Sequence, residues 1–237
     1  MKTLTIRLSA PLQSYGNEAT FARRTTGNYP SKSAIIGMLS AAMGYRRDDS
    51  RIIELNTLSF AVRVDKPGRV MTDYQTVEWK TSTRKITYRD YLQDAVFVVA
   101  IGSERDRLID TLKVALQHPK FQLFLGRRAN VPAGPLKLQV IEGQNPVQVL
   151  TELDWQASQW FQKKTKKPTV TVELIADANL LPEAKTGTEL AKDRVISFDQ
   201  RHRQLDFRAV ACKSIQLNNH AFKQSTADTR HDIMNFL

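Results

Sequence analysis

The stretch TLTIRLS, residues 3–9, indicates the fold class, because its polar and apolar residues alternate as in a half-buried β-strand. A loop with Pro and Gly separates this strand from residues 35–43, whose apolar residues are spaced along one side of a helix. Residues 60–64 then alternate again, and Pro67-Gly68 closes this second strand. The first third of the chain therefore predicts a strand, a helix and a second strand.

The next third repeats the same order of strand, helix and strand. Residues 96–101 form a continuous apolar run, which predicts a buried strand. Residues 108–116 carry apolar side chains on one side of a helix that Pro119 ends, and residues 121–125 resemble one more strand.

Strand, helix, strand, strand, helix, strand is the order of an α+β, ferredoxin-like (RRM-like) domain. In that arrangement four strands form one sheet and both helices cover the same face. The other face is expected to stay free, as a platform on which RNA-recognition domains bind. We place this domain at residues 1–135.

The pattern changes after Pro135. Short alternating stretches predict further strands at residues 136–140, 170–174, 195–198 and 205–217. Residues 178–193 contain Pro182 and Gly187 and predict an exposed loop. We expect residues 136–237 to form a smaller β-rich region packed on the first domain.

The charge of the chain indicates an acidic partner. Its 237 residues include 35 Lys and Arg against 24 Asp and Glu, a net charge of +11. Nucleic acid is the first partner to consider for such an excess. An anionic membrane is the alternative, but no basic amphipathic helix with a bulky apolar face is recognisable.

Neither a secreted nor a membrane protein is predicted. Cys212 is the single cysteine, so an intramolecular disulfide and a cysteine zinc cluster are excluded. The first residues lack the apolar run of a signal peptide, and no run approaches the ~18 residues that span a bilayer. The expected location is the cytoplasm.

Two basic clusters lie in loops. Arg23, Arg24 and Lys32 precede the first helix, whose N-terminus would add N–H donors for a phosphate. Arg127 and Arg128 follow Gly126, and glycine lets a backbone approach a phosphate closely. A solvated loop and a structural turn are the respective alternatives.

A third cluster fills the insert at residues 69–93, which predicts a protruding β-hairpin. Cations can neutralise phosphates while aromatic rings stack on unpaired bases. An ordinary surface hairpin whose rings pack on the body of the protein is the alternative. Its basic residues are Arg69, Lys80, Arg84, Lys85 and Arg89, and its aromatic residues are Tyr74, Trp79, Tyr88 and Tyr91.

A fourth cluster follows Trp160-Phe161. It consists of Lys163, Lys164, Lys166 and Lys167. It could contact a phosphate backbone, but lysine runs are usually solvated, and we interpret it as a solvated surface.

Signals for catalysis, metals or cofactors are weak. His118, His202, His220 and His231 are widely spaced and match no metal motif. His118 could be a general acid for RNA cleavage, although a histidine before Pro119 more often ends a helix. The sequence predicts no catalytic residues, no metal and no cofactor.

Several segments together resemble the CasD family of type I-E CRISPR surveillance complexes. They occur in the family's order and intervals across residues 4–135, and the resemblance beyond residue 136 is thin. The segments are IRLSAPLQSYG (6–16), YPSKSAIIGMLSAAMGYRRDD (29–49), FAVRVDKPG (60–68), DYQTV (73–77), YRDYLQDAVFVVAI (88–101) and LFLGRR (123–128).

The resemblance implies a repeat-associated (RAMP) RNA-binding fold with a glycine-rich loop and a thumb at residues 69–93. It implies a non-catalytic subunit that holds the 5′ handle of the CRISPR RNA and contacts the backbone subunits and the large subunit of Cascade. Target DNA would be reached through the assembled complex. The implied handle-binding residues are Arg23, Arg24, Lys32, Arg127 and Arg128. From the chemistry of the insert, we add the expected RNA-binding residues Tyr74, Lys80, Arg84, Lys85 and Arg89.

Three alternatives stay open. One is a metal-independent endoribonuclease for CRISPR precursor RNA, for which Tyr45, His118 and Lys120 could supply the side chains. The second is an RNA-recognition module outside CRISPR systems. The third is a bridging role without RNA contact, because basic surfaces also bind acidic proteins.

Overall fold

The computed structural model of the protein describes residues 1–16, 22–182 and 187–222. Two short 3-10 turns, Leu55–Thr57 and Ala178–Leu180, accompany the helices and strands. The helices are α1 (Lys32–Met43), α2 (Arg51–Glu54), α3 (Asp106–Gln117), α4 (Pro146–Glu152) and α5 (Gln159–Lys164). The strands are β1 (Lys2–Ser9), β2 (Leu12–Gln13), β3 (Arg23–Arg24), β4 (Ser59–Lys66), β5 (Arg69–Lys80), β6 (Thr83–Gln93), β7 (Val96–Ser103), β8 (Lys137–Glu142), β9 (Thr169–Asp177), β10 (Thr188–Ser197) and β11 (Gln204–Asn218).

Seven strands form the main sheet in the order β10-β11-β9-β4-β7-β1-β8, and every neighbouring pair is antiparallel. The apolar run of β7 lies near its centre, where both faces of the sheet are covered. This explains why β7 reads as continuously apolar, since a strand buried on both faces needs no polar side.

Helices α1 and α3 cover one face of this sheet. Their apolar sides pack against Leu4, Ile6 and Leu8 of β1 in the larger hydrophobic core. The Ser31 hydroxyl accepts from the Ala34 N–H and begins α1, and Gly44, with φ of 79°, ends it in the left-handed conformation.

The opposite face is also buried, so the expectation of a free platform is wrong. Helix α4 and the segment after it pack on Ala61, Val98 and Ala100, and Trp155 is only 5% exposed there. The apolar side chains at these positions favour this cover, because leaving them in water would forfeit their burial free energy. This sheet face therefore offers no open platform for a ligand.

The fourth strand beside β1 is β8, and the predicted strand at residues 121–125 is wrong. The backbone there is held by other partners: the N–H groups of Lys120 and Phe121 donate to the carbonyls of Ala42 and Ala41 at the end of α1. Further along, Leu125 bonds to Ser14 and Asn130. Because these backbone groups are already bonded, residues 121–125 cannot pair with β1 as a strand. Strand β8 pairs with that edge of β1 instead.

The sheet continues across residue 135. Strand β9 pairs with β4, and β11 and β10 extend the same sheet, so the later strands share one sheet with the earlier ones. Ile175, Val195 and Val210 also join the larger core. The expected loop at 178–193 is wrong from Thr188 onward, where β10 begins. As a statement about independent folding units, the division at 135/136 stays a prediction.

Strands β5 and β6 form a long antiparallel hairpin in a second, smaller sheet. At its base, β6 also pairs with β2 and β3, which attaches the hairpin to the body. Ser82, with φ of 61°, lies in the turn at the tip. In the described part of the chain, no helix is long and apolar enough to cross a membrane.

Candidate nucleic-acid interface

The base of the hairpin brings together basic residues that are far apart in the sequence. Strand β3 runs parallel to β6, with Arg23 opposite Tyr88 and Arg24 opposite Arg89. Directly opposed residues place their side chains on the same face of a sheet. Arg24 and Arg89 therefore share one face of the hairpin, and Arg23 lies on the other with Tyr88.

The glycine-containing loop supplies a further cation at the same place. The Leu125 N–H donates to the Asn130 carbonyl at 2.7 Å, and the Ser14 N–H donates to the Leu125 carbonyl at 3.1 Å. Gly126 has φ of +91°, and a Cβ there would lie 1.5 Å from the Ser14 carbonyl oxygen. Only glycine fits this approach, which fixes the path of Arg127.

Arg127 packs onto the hairpin. Its guanidinium lies 4.4 Å from the centre of the Tyr91 ring, and Nη2 donates to the Arg24 carbonyl at 3.0 Å. Arg24, Arg89 and Arg127, which we call the arginine cluster, thus lie together at the hairpin base. Within the described ranges, none of the three has a carboxylate at ion-pair distance.

Two N–H donors of the arginine cluster are unsatisfied. Arg89 Nε and Arg127 Nη1 are buried and make no hydrogen bond with any described residue. A buried donor without a partner costs about 1–3 kcal/mol. Guanidinium groups bind phosphate oxygens strongly.

The other face of the hairpin is aromatic. Tyr74 lies opposite Tyr88, and both rings are exposed, Tyr74 to 69%. Asp90 beside them accepts from Thr72 at 2.7 Å and pairs with Arg23 at 3.3 Å. Exposed neighbouring rings of this kind can stack on unpaired bases.

The outer half of the hairpin carries the remaining predicted cations. Lys80, Arg84 and Lys85 are exposed, and Arg84 pairs with Glu78 at 3.4 Å. Trp79 at the tip is 68% exposed. Arg128 is exposed beside Arg127. These residues extend the basic surface outward from the hairpin base.

Lys32 does not belong to this surface. It is 6% exposed, and its ammonium is 3.3 Å from Asp177. Burial lowers the pKa of Lys32, and the neighbouring Asp177 partly offsets this effect. The prediction that Lys32 lies on an RNA-binding surface is wrong, because its side chain is buried and forms an ion pair with Asp177.

The partners of Lys32 were missed by the sequence analysis. Arg208 binds Asp193 through two nitrogens, both at 2.9 Å, and Asp177 at 2.6 Å. Asp193 also accepts from the Lys32 backbone N–H at 2.7 Å, at the start of α1. No local sequence signal joins these residues, since they come from α1, β9, β10 and β11.

Of the three residues considered for a nuclease, Tyr45, His118 and Lys120, the fold brings Lys120 close to Tyr45 in the chain. Lys120 packs on Gly44, next to Tyr45, and the Tyr45 ring lies 4.1 Å from the Arg51 guanidinium. His118 lies at the C-terminal end of α3. Among the described contacts, no hydrogen bond joins two of the three side chains.

The other histidines show no common site. His220 contacts Asp154 at 3.2 Å, and His231 lies outside the described residues. Across residues 1–16, 22–182 and 187–222, no group of three acidic, Cys or His side chains could hold a metal ion.

Comparison with known proteins gives the class first: the matching sequence profile is that of a CRISPR-associated protein. The profile describes the Cas5 family and matches residues 3–211. The chain belongs to the Cas5 family of CRISPR-associated proteins.

Individual relatives agree. The Cascade subunit CasD of Escherichia coli K12 is 31% identical over 167 residues, which cover 62% of this chain and 75% of CasD. The resemblance to CasD that the sequence motifs indicate is thereby confirmed.

Two solved structures are similar over nearly the whole chain. A chain of a CRISPR RNA-guided surveillance complex has a TM-score of 0.75 at 29% identity, covering 99% of this chain and 98% of that one. The crystal structure of a Cas protein has a TM-score of 0.67 at 29% identity, covering 94% and 98%.

Proposed function

We propose that this protein is a non-catalytic, RNA-binding subunit of a type I-E CRISPR surveillance complex. It would hold the 5′ handle of the CRISPR RNA. Membership of the Cas5 family and similarity to CasD support the assignment to such a complex. The observation that carries RNA binding is the arginine cluster, which joins three guanidinium groups that have no carboxylate at ion-pair distance within the described residues.

In this proposal the first part of the chain is a ferredoxin-like unit. Strands β8, β1, β7 and β4 lie in the spatial order of that fold, and α1 and α3 pack on one face. The hairpin of β5 and β6 would be the thumb. Because the second sheet face is covered, we assign RNA binding to the hairpin and its base.

The mechanism is electrostatic and steric. Arg24, Arg89 and Arg127 would bind a handle phosphate, and Arg23 and Arg128 would lie along the same backbone. Tyr74 would stack on an unpaired base, with Tyr88 beside it. Lys80, Arg84 and Lys85 would neutralise phosphates along the outer hairpin. Lys32 has no part in this mechanism.

The proposed partners are the CRISPR RNA and, as for CasD in Cascade, the backbone and large subunits. Target DNA would be reached through the assembled complex. We place the protein in the cytoplasm, where guide RNA and invading DNA meet.

Arginine substitutions test the proposal. Arg89→Ala and Arg127→Ala should each weaken binding of CRISPR RNA with its handle about tenfold or more, because each removes a charged hydrogen-bond donor. The salt slope of binding should fall by about 0.7 for each phosphate that is no longer neutralised. Binding is measured by titration with labelled RNA at several salt concentrations.

The matched control is Arg107→Ala, which removes an exposed arginine on α3. It should leave binding unchanged. RNA without the handle should bind more weakly than RNA with it. Equally weakened binding in all three variants would mean that the arginine cluster has no specific role.

The second candidate is the endoribonuclease, favoured by the contact of Lys120 with Gly44 beside Tyr45. Precursor RNA incubated with the protein in EDTA distinguishes the two. We expect intact RNA on a denaturing gel. Cleavage at one site that His118→Ala abolishes would overturn the non-catalytic assignment.

A further inference from the structure

A second basic surface lies away from the arginine cluster, on helix α5 and the residues after it. Trp160 is 66% exposed, and Lys164 Nζ lies 4.8 Å from the centre of its ring. Lys163, Lys166 and Lys167 are also exposed. We call Trp160 with these four lysines the Trp160 patch.

The backbone that carries the patch is firmly held. Phe161 packs edge-on against the buried Trp155 at 5.8 Å, and the Ser158 hydroxyl accepts from the Phe161 N–H at the start of α5. The side-chain amide nitrogen of Asn219 contacts the carbonyls of Gln162, Thr165 and Lys167 at 2.9–3.0 Å. The exposed indole and ammonium groups are thus presented on a fixed support.

No negative charge neutralises the patch locally. Residues 155–172 contain no Asp or Glu. None of the four lysines makes an ion pair within the part of the chain that the structure describes. Asp154, just before this stretch, is 3.2 Å from His220. The patch therefore carries uncompensated positive charge around an exposed ring.

The patch also adjoins the hairpin. Lys66 lies 5.2 Å from the centre of the Phe161 ring, at the end of β4. The hairpin strand β5 begins three residues later, at Arg69. The Trp160 patch and the start of the hairpin are therefore joined through the end of β4.

We propose that the Trp160 patch binds single-stranded nucleic acid. A base would stack on the Trp160 indole in place of Lys164, and the four lysines would neutralise the flanking phosphates. An acidic protein is disfavoured, because lysine is depleted in protein interfaces and Trp160 is the only exposed large apolar side chain described on α5. This surface is additional to the handle contact at the arginine cluster.

Tryptophan fluorescence reports directly on the proposed stack. The chain has three tryptophans: Trp79, Trp155 and Trp160. Trp79→Phe leaves the buried Trp155 and the exposed Trp160 as fluorophores. Titrating this full-length variant with oligothymidylate and with oligouridylate should quench its fluorescence. Trp79→Phe with Trp160→Phe should show no quenching, because Trp155 is covered.

Affinity gives a second measurement. Trp160→Ala should weaken binding of labelled oligothymidylate about 5- to 160-fold, the range for one base stacked on an aromatic ring. Replacing all four lysines by Gln should lower the salt slope by about 0.7 for each phosphate left without its cation. Thermal unfolding checks that every variant is folded.

The matched controls are Phe207→Ala and Lys192→Gln. These residues form a comparable exposed pair, with Lys192 Nζ 5.7 Å from the Phe207 ring centre. Asp206 and Asp193 neighbour them in the sequence, so the charge there is mixed. Both controls should bind and quench as the parent protein does.

The outcomes separate this inference from the handle-binding proposal. Quenching that persists without Trp160, or unchanged affinity in the patch variants, would overturn the inference even if Arg127→Ala weakens handle binding as expected. Patch variants that bind nucleic acid normally but lose another complex subunit would show a protein interface and overturn it as well. Loss of oligothymidylate binding in the patch variants, with handle binding retained, would support it.

Discussion

Arg63 shows how much the fold depends on single buried charges. It is 0% exposed and lies on the sheet face that α4 covers. Its guanidinium binds the Asp65 carboxylate at 2.6 and 2.9 Å and also donates to the carbonyls of Leu150, Leu153 and Asp154. This one side chain therefore ties β4 to the end of α4.

Arg63→Met should lower the free energy of unfolding by about 3–5 kcal/mol, because it leaves the buried Asp65 without its counter-charge. Urea unfolding followed by circular dichroism measures the change. Adding Asp65→Leu should recover part of this stability. No recovery would mean that the missing carbonyl hydrogen bonds, and not the isolated carboxylate, dominate.

Gly126 is the residue on which the geometry of the arginine cluster depends. Gly126→Ala should cost about 2–5 kcal/mol of stability, from the left-handed backbone and the clash with the Ser14 carbonyl. Binding of CRISPR RNA should fall as well, since Arg127 would be displaced. Thermal unfolding and RNA titration measure the two effects.

Gly143→Ala is the control for the backbone conformation alone. Gly143 has φ of +77°, but a Cβ there would meet nothing within 4 Å. We expect its stability to fall by only about 1–2 kcal/mol. Equal destabilisation at the two glycines would show that the Ser14 clash is relieved by local movement.

Cys212 is the single cysteine, so the pH dependence of thiol alkylation reports on this residue alone. Burial, followed by the charge of Glu173, raises the pKa of its thiol above the ordinary 9.0. The thiolate is the reactive form, so the rate of alkylation by iodoacetamide should reach half its plateau above pH 9.0. The urea-unfolded chain provides the reference, and a midpoint in the folded protein at or below that reference would contradict the prediction.

At the scale of elements, we expect the outer part of the β5–β6 hairpin to contribute little to the stability of the rest of the protein. Its outer residues are exposed, whereas its base is fastened by β2 and β3. Tyr74 and Tyr88 are directly opposed, so a two-residue Asn-Gly turn can replace residues 75–87. We expect the shortened protein to melt within a few degrees of the parent, because little buried surface is removed.

The same variant should bind CRISPR RNA more weakly, since it lacks Lys80, Arg84 and Lys85, and its salt slope should be smaller. Thermal unfolding and salt-dependent titration are the measurements. A large fall in melting temperature would indicate that the outer hairpin packs on the body after all.

For the whole molecule, the continuous sheet predicts one cooperative unit. A fragment of residues 1–135 lacks β8 and β9 and exposes two long strand edges, along β1 and β4. It also lacks Asp177 and Asp193, which bind Lys32 in the full chain. We expect the fragment to aggregate or to unfold without cooperativity, as judged by urea titration. Cooperative unfolding of the fragment would instead support the division at 135/136.

Local periodicity predicted most of the elements themselves. The alternation at Leu4, Ile6 and Leu8 and the apolar run of β7 specify their own conformation and burial, because each pattern reports which faces of one element are covered. The predicted strand at residues 121–125 was wrong because its backbone bonds to Ala41 and Ser14. These partners lie far away in the sequence, and hydrophobic periodicity carries no information about them.

The candidate site was predictable only in part. Glycine and arginine in residues 126–128 and the basic, aromatic insert at 69–93 are visible as composition. That Arg24, Arg89 and Arg127 meet, while Lys32 is buried, depends on pairing between distant strands.

Composition, local pattern and motif order can be read from the sequence alone, and they were enough to predict the α+β class of fold and the family. The cover on the second sheet face, the position of β8 at the sheet edge and the exposure of each cation became visible only in the folded molecule. The physical reason is that burial and charge pairing are set by neighbours in space. Lys32 and Arg127 are equally charged in the sequence, but Lys32 faces Asp177 inside the protein and Arg127 lies over Tyr91 at the hairpin base.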